Sequence, residues 1–182
     1  QALQLSAQYR KHERASLNHV RIALVDSLAT SIGKELIAAV KYRSTQWSLA
    51  TGQSHQHAQA LLNRDVDIII SDDPIASHPE LFRQRILREP FVLVVPTSIA
   101  IAQGLNAHSL KSLTATADFV RYSQGTVIGR TIEAQLKLWN IHPPTRLTLD
   151  NSYAVFEMVR AGIGWSISTP LCLAQMGLLS GE

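Results

Sequence analysis

The feature that most constrains this chain is a regular alternation of short apolar segments with segments of helical periodicity. The first apolar segment covers residues 20–25, and Ile32, Leu36, Ile37 and Val40 follow it at the spacing of one helix face. Further strands are predicted at 46–50, 66–70, 81–89, 91–95, 118–122, 146–150 and 165–168, and further helices around 58–62, 128–139 and 153–160. The run at 66–70 is continuously apolar, which is typical of a parallel strand covered on both faces. Strand–helix alternation of this kind predicts an α/β fold with mostly parallel sheets.

Polar turns stand where three of the predicted strands give way to a helix. Their sequences are DSLATS (26–31), TGQS (51–54) and YSQGT (122–126). In parallel sheets, ligands bind beyond the carboxyl ends of the strands. The free N–H groups and the positive dipole end of the following helix favour an anion there. We therefore predict that these turns bind a small anionic or polar molecule.

Helix capping is the alternative role for the hydroxyls of the first turn. Ser, Thr, Asn and Asp are the residues preferred at helix N-caps. A reciprocal capping box is incomplete, because Lys34 stands three residues after Ser31. We predict that Ser27 faces a ligand and that Thr30 and Ser31 cap the helix.

Composition argues against several other classes of protein. The net charge is +3 and the basic residues are scattered, whereas a nucleic-acid groove needs a basic stripe. The single cysteine, Cys172, lies between two leucines and is predicted to be a buried thiol in a reducing compartment, the cytoplasm. No apolar run is long enough to span a bilayer.

No coherent catalytic, cofactor or metal set emerges from the sequence. His55 and His57 would point apart on a helix, so we predict that both are solvated rather than metal-bound. Asp72 and Asp73 precede Pro74 and are typical of a turn. There is no Gly-x-Ser-x-Gly elbow, and the glycines at 162 and 164 lack the third glycine of a dinucleotide loop. We predict a protein that is not an enzyme and has no cofactor.

Taken in order, the motifs resemble the effector-binding domain of LysR-type transcriptional regulators. The segments that carry the resemblance are HVRIALVDSL, TGQSHQHAQALLNRDVDIIISDDP, REPFVLVVP and DNSYAVFEMVRAGIGWSISTP. The resemblance covers residues 20–179. It implies two Rossmann-like lobes of the type 2 periplasmic-binding-protein kind, joined by two crossover strands near Pro96 and Thr169.

The resemblance also implies a division of the chain. Residues 1–19 would be the end of a linker helix, residues 20–95 and 169–182 lobe I, and residues 96–168 lobe II. A winged helix-turn-helix that binds DNA is expected upstream of Gln1. A C-terminal strand and helix of the family are expected to be missing here.

By the same resemblance, a small effector binds in the cleft between the lobes and modulates DNA binding by homodimers and homotetramers. Residues carried over to this site are Ser27, Leu28, Thr51, Gly52, Gln53, Ser54, Tyr122, Ser123 and Thr126, with Asp73, Arg121 and Trp165 as further candidates. Arg121 would either pair with an effector carboxylate or face water. Ile32 and Leu36 are candidates for the dimer contact or for the core. The alternative function is a solute-binding protein of a transport system with the same fold.

Overall fold

A computed structural model describes residues 17–72, 81–99 and 107–177, and the chain divides after Ser71 into two compact units. The first unit is built from alternating strands and helices. They are β1 (Leu17–Val25), α1 (Asp26–Val40), β2 (Ser44–Gly52), α2 (Ser54–Leu62) and β3 (Ile68–Ile70). The strands form a parallel sheet in the order β2-β1-β3.

Strand β1 is the central strand of this sheet and its most buried part. Ile22, Ala23 and Leu24 are consecutive and only 2%, 1% and 0% exposed, so both faces of the strand are covered. We predicted this double coverage for residues 66–70, and there the prediction is wrong. Strand β3 begins at Ile68, which is 46% exposed, and it pairs only with β1 in the described sheet.

The register of the first sheet brings its polar turns to one edge. Val25 lies opposite Gly52, and Leu24 lies opposite Ile70. Since all three strands are parallel, the segments that follow them start from the same edge of the sheet. The turn into α1 and the turn into α2 are therefore neighbours.

The second unit repeats the alternation with shorter strands. Its elements are β4 (Val92–Val94), α3 (Ala107–Thr116), β5 (Val120–Tyr122), α4 (Val127–Leu138), β6 (Leu147–Leu149), α5 (Ser152–Arg160), β7 (Ser166–Ser168) and α6 (Pro170–Ala174). Their buried side chains form one apolar core: Leu110, Phe119, Val120, Tyr122, Ile132, Leu136, Ile141, Val155, Val159 and Trp165.

Both parallel and antiparallel pairing occur in the second unit. Strands β5 and β6 are parallel, and a parallel bridge joins Phe119 to Trp165. Strands β4 and β7, the segments expected to cross between lobes, pair with each other in the antiparallel sense. The predicted α/β fold with mostly parallel pairing is confirmed.

A close backbone approach explains one of the glycines in the second unit. A Cβ at Gly164 would collide with the Asp118 carbonyl, which accepts a hydrogen bond from the Trp165 N–H at 2.9 Å. Only glycine allows the two chain segments to come this near to each other.

The sequence prediction fails at two places in the second unit. Residues 81–89 form no strand, although their sequence alternates, and Phe82 and Ile86 are exposed. Alternation alone cannot make a strand without a partner, and this segment pairs with none of the described strands. Conversely, α3 was not predicted, because only Leu110 and Leu113 mark its inner face. Of the linker-helix end expected at residues 1–19, residues 1–16 lie outside the described residues and residues 17–19 belong to β1. The expected lobe boundaries stay predictions.

Candidate functional site

Helix α1 begins without a side-chain cap. Its N-cap is Val25, which has no acceptor to offer, and Asp26 is its first residue. Ser27, the second residue, is half-buried, and no hydrogen bond of its hydroxyl is found within the described residues. The first N–H groups of α1 are therefore not occupied by a capping side chain, which leaves the positive end of the helix dipole available.

Thr30 and Ser31 do not cap this helix, and that prediction is wrong. Both lie inside α1, where their hydroxyls donate to carbonyls of the preceding turn. Thr30 Oγ1 donates to the Asp26 carbonyl at 3.0 Å, and Ser31 Oγ donates to the Ser27 carbonyl at 2.6 Å. The helix begins earlier than its hydroxyls suggest, because β1 continues directly into it.

Helix α2 begins at the neighbouring corner of the same sheet edge. Thr51 and Gly52 end β2, and Gln53 is the N-cap. The Gln53 N–H donates to Gln56 Oε1 at 3.3 Å, which satisfies the backbone just before the helix. Ser54, the first residue of α2, is buried. The Ser54 hydroxyl is therefore close to the first backbone N–H groups of α2.

His57 is buried, so the prediction of two solvated histidines holds for His55 and is wrong for His57. His57 is 4% exposed, and neither ring nitrogen makes a hydrogen bond of good length and angle within the described residues, although the Thr51 carbonyl lies near the ring. Burial is the largest influence and lowers the pKa of His57, against the smaller effects of the Asp26 carboxylate and the Thr51 carbonyl, which raise it. A usable signal was its spacing from Ser54, since residues three apart share a helix face.

In the second unit, the turn 123–126 is held by its own hydroxyls. Thr126 caps α4, because its Oγ1 accepts from the Gly129 N–H at 3.1 Å and donates to the Ser123 carbonyl at 2.7 Å. Ser123 Oγ accepts from the Gly125 N–H at 3.2 Å. Unlike the start of α1, this helix N-terminus has its own cap, and its hydroxyls already have partners.

Tyr122 lies beneath this turn, with its ring in the core. Its hydroxyl is 3.0 Å from Ser168 Oγ, and burial raises the pKa of Tyr122 to about 12. The phenol is therefore neutral at physiological pH and joins the ends of β5 and β7.

Arg121 and Trp165 are also part of the core. The Arg121 guanidinium pairs with Glu133, donates to the Pro143 carbonyl at 2.8 Å and lies over the Phe119 ring. Arg121 does not face water, and an effector carboxylate would have to compete with Glu133 for it. Trp165 is 0% exposed and packs on Phe119, with 4.6 Å between ring centroids.

The structure thus brings the predicted residues together within each unit. Ser27, buried Leu28 and residues 51–54 lie at one edge of the first sheet. Tyr122, Ser123 and Thr126 follow the carboxyl end of β5 in the second unit. Asp73 lies outside the described residues. The role of all these residues in effector binding stays a prediction.

Cys172 is a buried thiol, as predicted, and Ser152 Oγ donates to its sulfur at 3.2 Å. Across residues 17–72, 81–99 and 107–177, no three His, Cys, Asp or Glu side chains are grouped so as to hold a metal ion. In the same ranges, every helix is too short or too polar to cross a membrane.

Solved structures with this fold include several regulators. The effector-binding domain of QuiR in complex with shikimate is 14% identical, with a TM-score of 0.70 over 85% of this chain and 74% of that chain. The regulatory domain of CcmR from Synechocystis PCC6803 in complex with 2-PG is 20% identical, with a TM-score of 0.66 over 86% and 74%. Full-length CbnR complexed with its target DNA is 16% identical, with a TM-score of 0.67 over 95% and 62%. No curated protein matches the chain.

The family model described as the LysR substrate binding domain matches residues 14–179. The chain belongs to this family. It is an effector-binding domain of the kind found in LysR-type transcriptional regulators, and the match favours regulation over the transport alternative.

Proposed function

We propose that this chain binds a small anionic or polar metabolite through the N-terminal ends of α1 and α2. The observation that carries the proposal is the uncapped start of α1, which lies beside the start of α2 at one edge of the first sheet. Backbone N–H groups and the dipole ends of two neighbouring helices favour a carboxylate or a similar anion. Ser27 and Ser54 supply hydroxyls at the same place.

The turn 123–126 of the second unit is a further candidate for effector binding. It follows the carboxyl end of β5, the position at which open α/β sheets bind ligands. The structures of QuiR with shikimate and of CcmR with 2-PG support a small-molecule effector. Shikimate is a carboxylate, the class of ligand that the first unit favours.

Binding would regulate transcription through a DNA-binding domain outside this chain. The structure of CbnR with its target DNA supports this role. An effector that binds one arrangement of the protein better than another shifts the balance between them. We propose that the regulator works in the cytoplasm as a homodimer or homotetramer and that this domain catalyses no reaction.

Calorimetric titration of small carboxylates, shikimate among them, would identify a ligand and test the site. For a verified ligand, we expect Ser27→Ala and Ser54→Ala each to weaken binding about two- to tenfold, the usual effect of one lost hydrogen bond. Thr30→Ala is the matched control, because the Thr30 hydroxyl is committed to the Asp26 carbonyl. Unchanged affinity for the Ser27 and Ser54 variants would remove these hydroxyls from the site. Equal losses in the control would show that the effect is structural.

A further inference from the structure

His57 is the fourth residue of α2, close to the helix N-terminus that the proposed anion site uses. Its Nε2 is 3.2 Å from the position that a Cβ would occupy on Gly52, the residue before the N-cap. The Asp26 carboxylate, at the start of α1, is near enough to influence its charge. The ring therefore reaches toward the corner at which the two helices begin, and the proposed function places the anion there.

Burial of an imidazole without a partner is energetically costly, and this cost requires an explanation. A buried polar group that makes no hydrogen bond has lost its contacts with water without compensation, and this destabilises the fold. Most buried polar atoms in proteins have partners, so each exception is a candidate for contact with a water molecule, an ion or a ligand. His57 has two such atoms on one ring.

The charged groups around His57 set its protonation state. On α1, the Asp26 carboxylate favours the imidazolium, and the Thr51 carbonyl at the end of β2 acts in the same direction. On α2 itself, His55 disfavours the imidazolium, and burial disfavours it most. Because the net effect lowers the pKa of His57, the ring is neutral at physiological pH in the unliganded protein.

We propose that His57 takes up a proton when an anion binds at the N-terminal ends of α1 and α2, so that this site binds its effector together with a proton. A bound anion adds negative charge close to the buried ring. This charge acts in the same direction as Asp26 and tips the imidazole to its protonated form. The inference rests on the proposed function and identifies the effector as an anion whose binding is coupled to pH.

The linkage has a definite sign. Proton uptake on binding means that the anion binds more tightly as the pH falls, by up to about tenfold per pH unit when one full proton is taken up. Above the pKa of the liganded state, the affinity becomes weak but remains measurable. Below the pKa of the free state, the affinity no longer depends on pH.

The test uses sulfate as the probe, because sulfate does not titrate near neutral pH and any proton uptake then belongs to the protein. Imidazole nitrogen resonances of the whole chain report the charge of His57 directly, and the amide signals of Ser27 and Ser54, at the starts of α1 and α2, report occupancy. We expect saturating sulfate to raise the pKa of His57. We expect sulfate to bind more tightly as the pH falls through the pKa of the liganded state. In calorimetry, the proton taken up would make the binding enthalpy depend on the ionisation enthalpy of the buffer.

Two substitutions test whether His57, rather than another histidine, takes up the proton. His57→Leu should abolish both the proton uptake and the pH dependence, while His55→Leu, in the exposed histidine two residues earlier, should leave both intact. If His57→Leu does not fold, His57→Gln and direct titration of the wild-type ring answer the same question. Sulfate binding with an unchanged His57 charge would overturn the inference and leave the proposed site standing. No sulfate binding at the Ser27 and Ser54 amides would contradict both.

Discussion

At the scale of single residues, two glycines inside helices differ in how much space is left for a side chain. A Cβ on Gly129, in the first turn of α4, would collide with the Ser123 carbonyl and press on Thr126 Oγ1. A Cβ on Gly33, inside α1, would meet only Leu49 Cδ2, at an ordinary contact distance of 3.6 Å. The first glycine is required by the turn that it packs against, and the second is not.

Alanine should therefore have opposite effects at these two positions. We expect Gly129→Ala to lower the free energy of unfolding by about 1 to 3 kcal/mol, because the turn must move to admit the methyl group. We expect Gly33→Ala to raise it by up to about 1 kcal/mol through helix propensity. Urea denaturation of the two variants measures both values, and a destabilised Gly33→Ala would contradict this account of α1.

The buried Arg121–Glu133 pair gives a second prediction at this scale. Burial lowers the pKa of Arg121, and removal of its counter-charge would leave the guanidinium uncompensated. We expect Glu133→Gln to destabilise the protein by about 3 kcal/mol. The matched control is Glu157→Gln, which breaks the exposed pair with Arg160 and should change stability little. Similar midpoints of denaturation for both variants would show that the Arg121 pair contributes no more than a surface one.

Arg121 also shows where sequence reasoning stops. Strand alternation could not decide whether its side chain faces water or a ligand. It does not face water, and its partners come from a helix twelve positions later and from Pro143. His57 was missed for a similar reason, since its burial depends on the packing of α2 against the sheet edge. Contacts between distant segments decide whether such side chains are buried, and the local sequence pattern does not show these contacts.

At the scale of elements, capping differs between helices that otherwise follow strands in the same way. Thr126 caps α4 and Asn151 caps α5, each by accepting from a backbone N–H of the first turn. We expect Thr126→Ala and Asn151→Ala each to lower the free energy of unfolding by about 1 kcal/mol. Thr131→Ala is the control, because the Thr131 hydroxyl donates to the Val127 carbonyl within α4 and caps nothing. Denaturant titration should find the control unchanged or slightly more stable.

Elements were predictable where apolar periodicity was strong and unpredictable where it was weak. Helices α1, α4 and α5 and strand β1 appear where the sequence places them, because their apolar faces pack on a sheet or on each other. Helix α3 has too few apolar residues to be recognised. Residues 81–89 have the alternation of a strand and lack a partner, so the pattern misled. The polar turns were predicted from their positions after strands, but the hydrogen bonds that their side chains make were not predicted.

At the scale of the whole molecule, helix α1 has apolar residues that its own unit covers only in part. Ile32, Leu36, Ile37 and Val40 are all half-buried in the single chain. We expect the protein to form homodimers in which this helix takes part. Leu36→Glu should then weaken dimerisation, whereas Ala38→Glu, on the opposite side of the helix, should not. Sedimentation velocity over a range of concentrations measures the difference, and equal behaviour of the two variants would place the interface elsewhere.

The antiparallel pairing of β4 with β7 implies an order of events during folding. These strands join Val94 to Ser166, whereas every strand of the first sheet finds its partner within residues 17–70. Contacts between distant segments form more slowly, because a longer loop must close first. On the ribosome, β4 would have to wait for β7 to be synthesised, while the first sheet is already complete. Pulse-labelling hydrogen exchange during refolding should therefore find amides of β1 protected before those of β4.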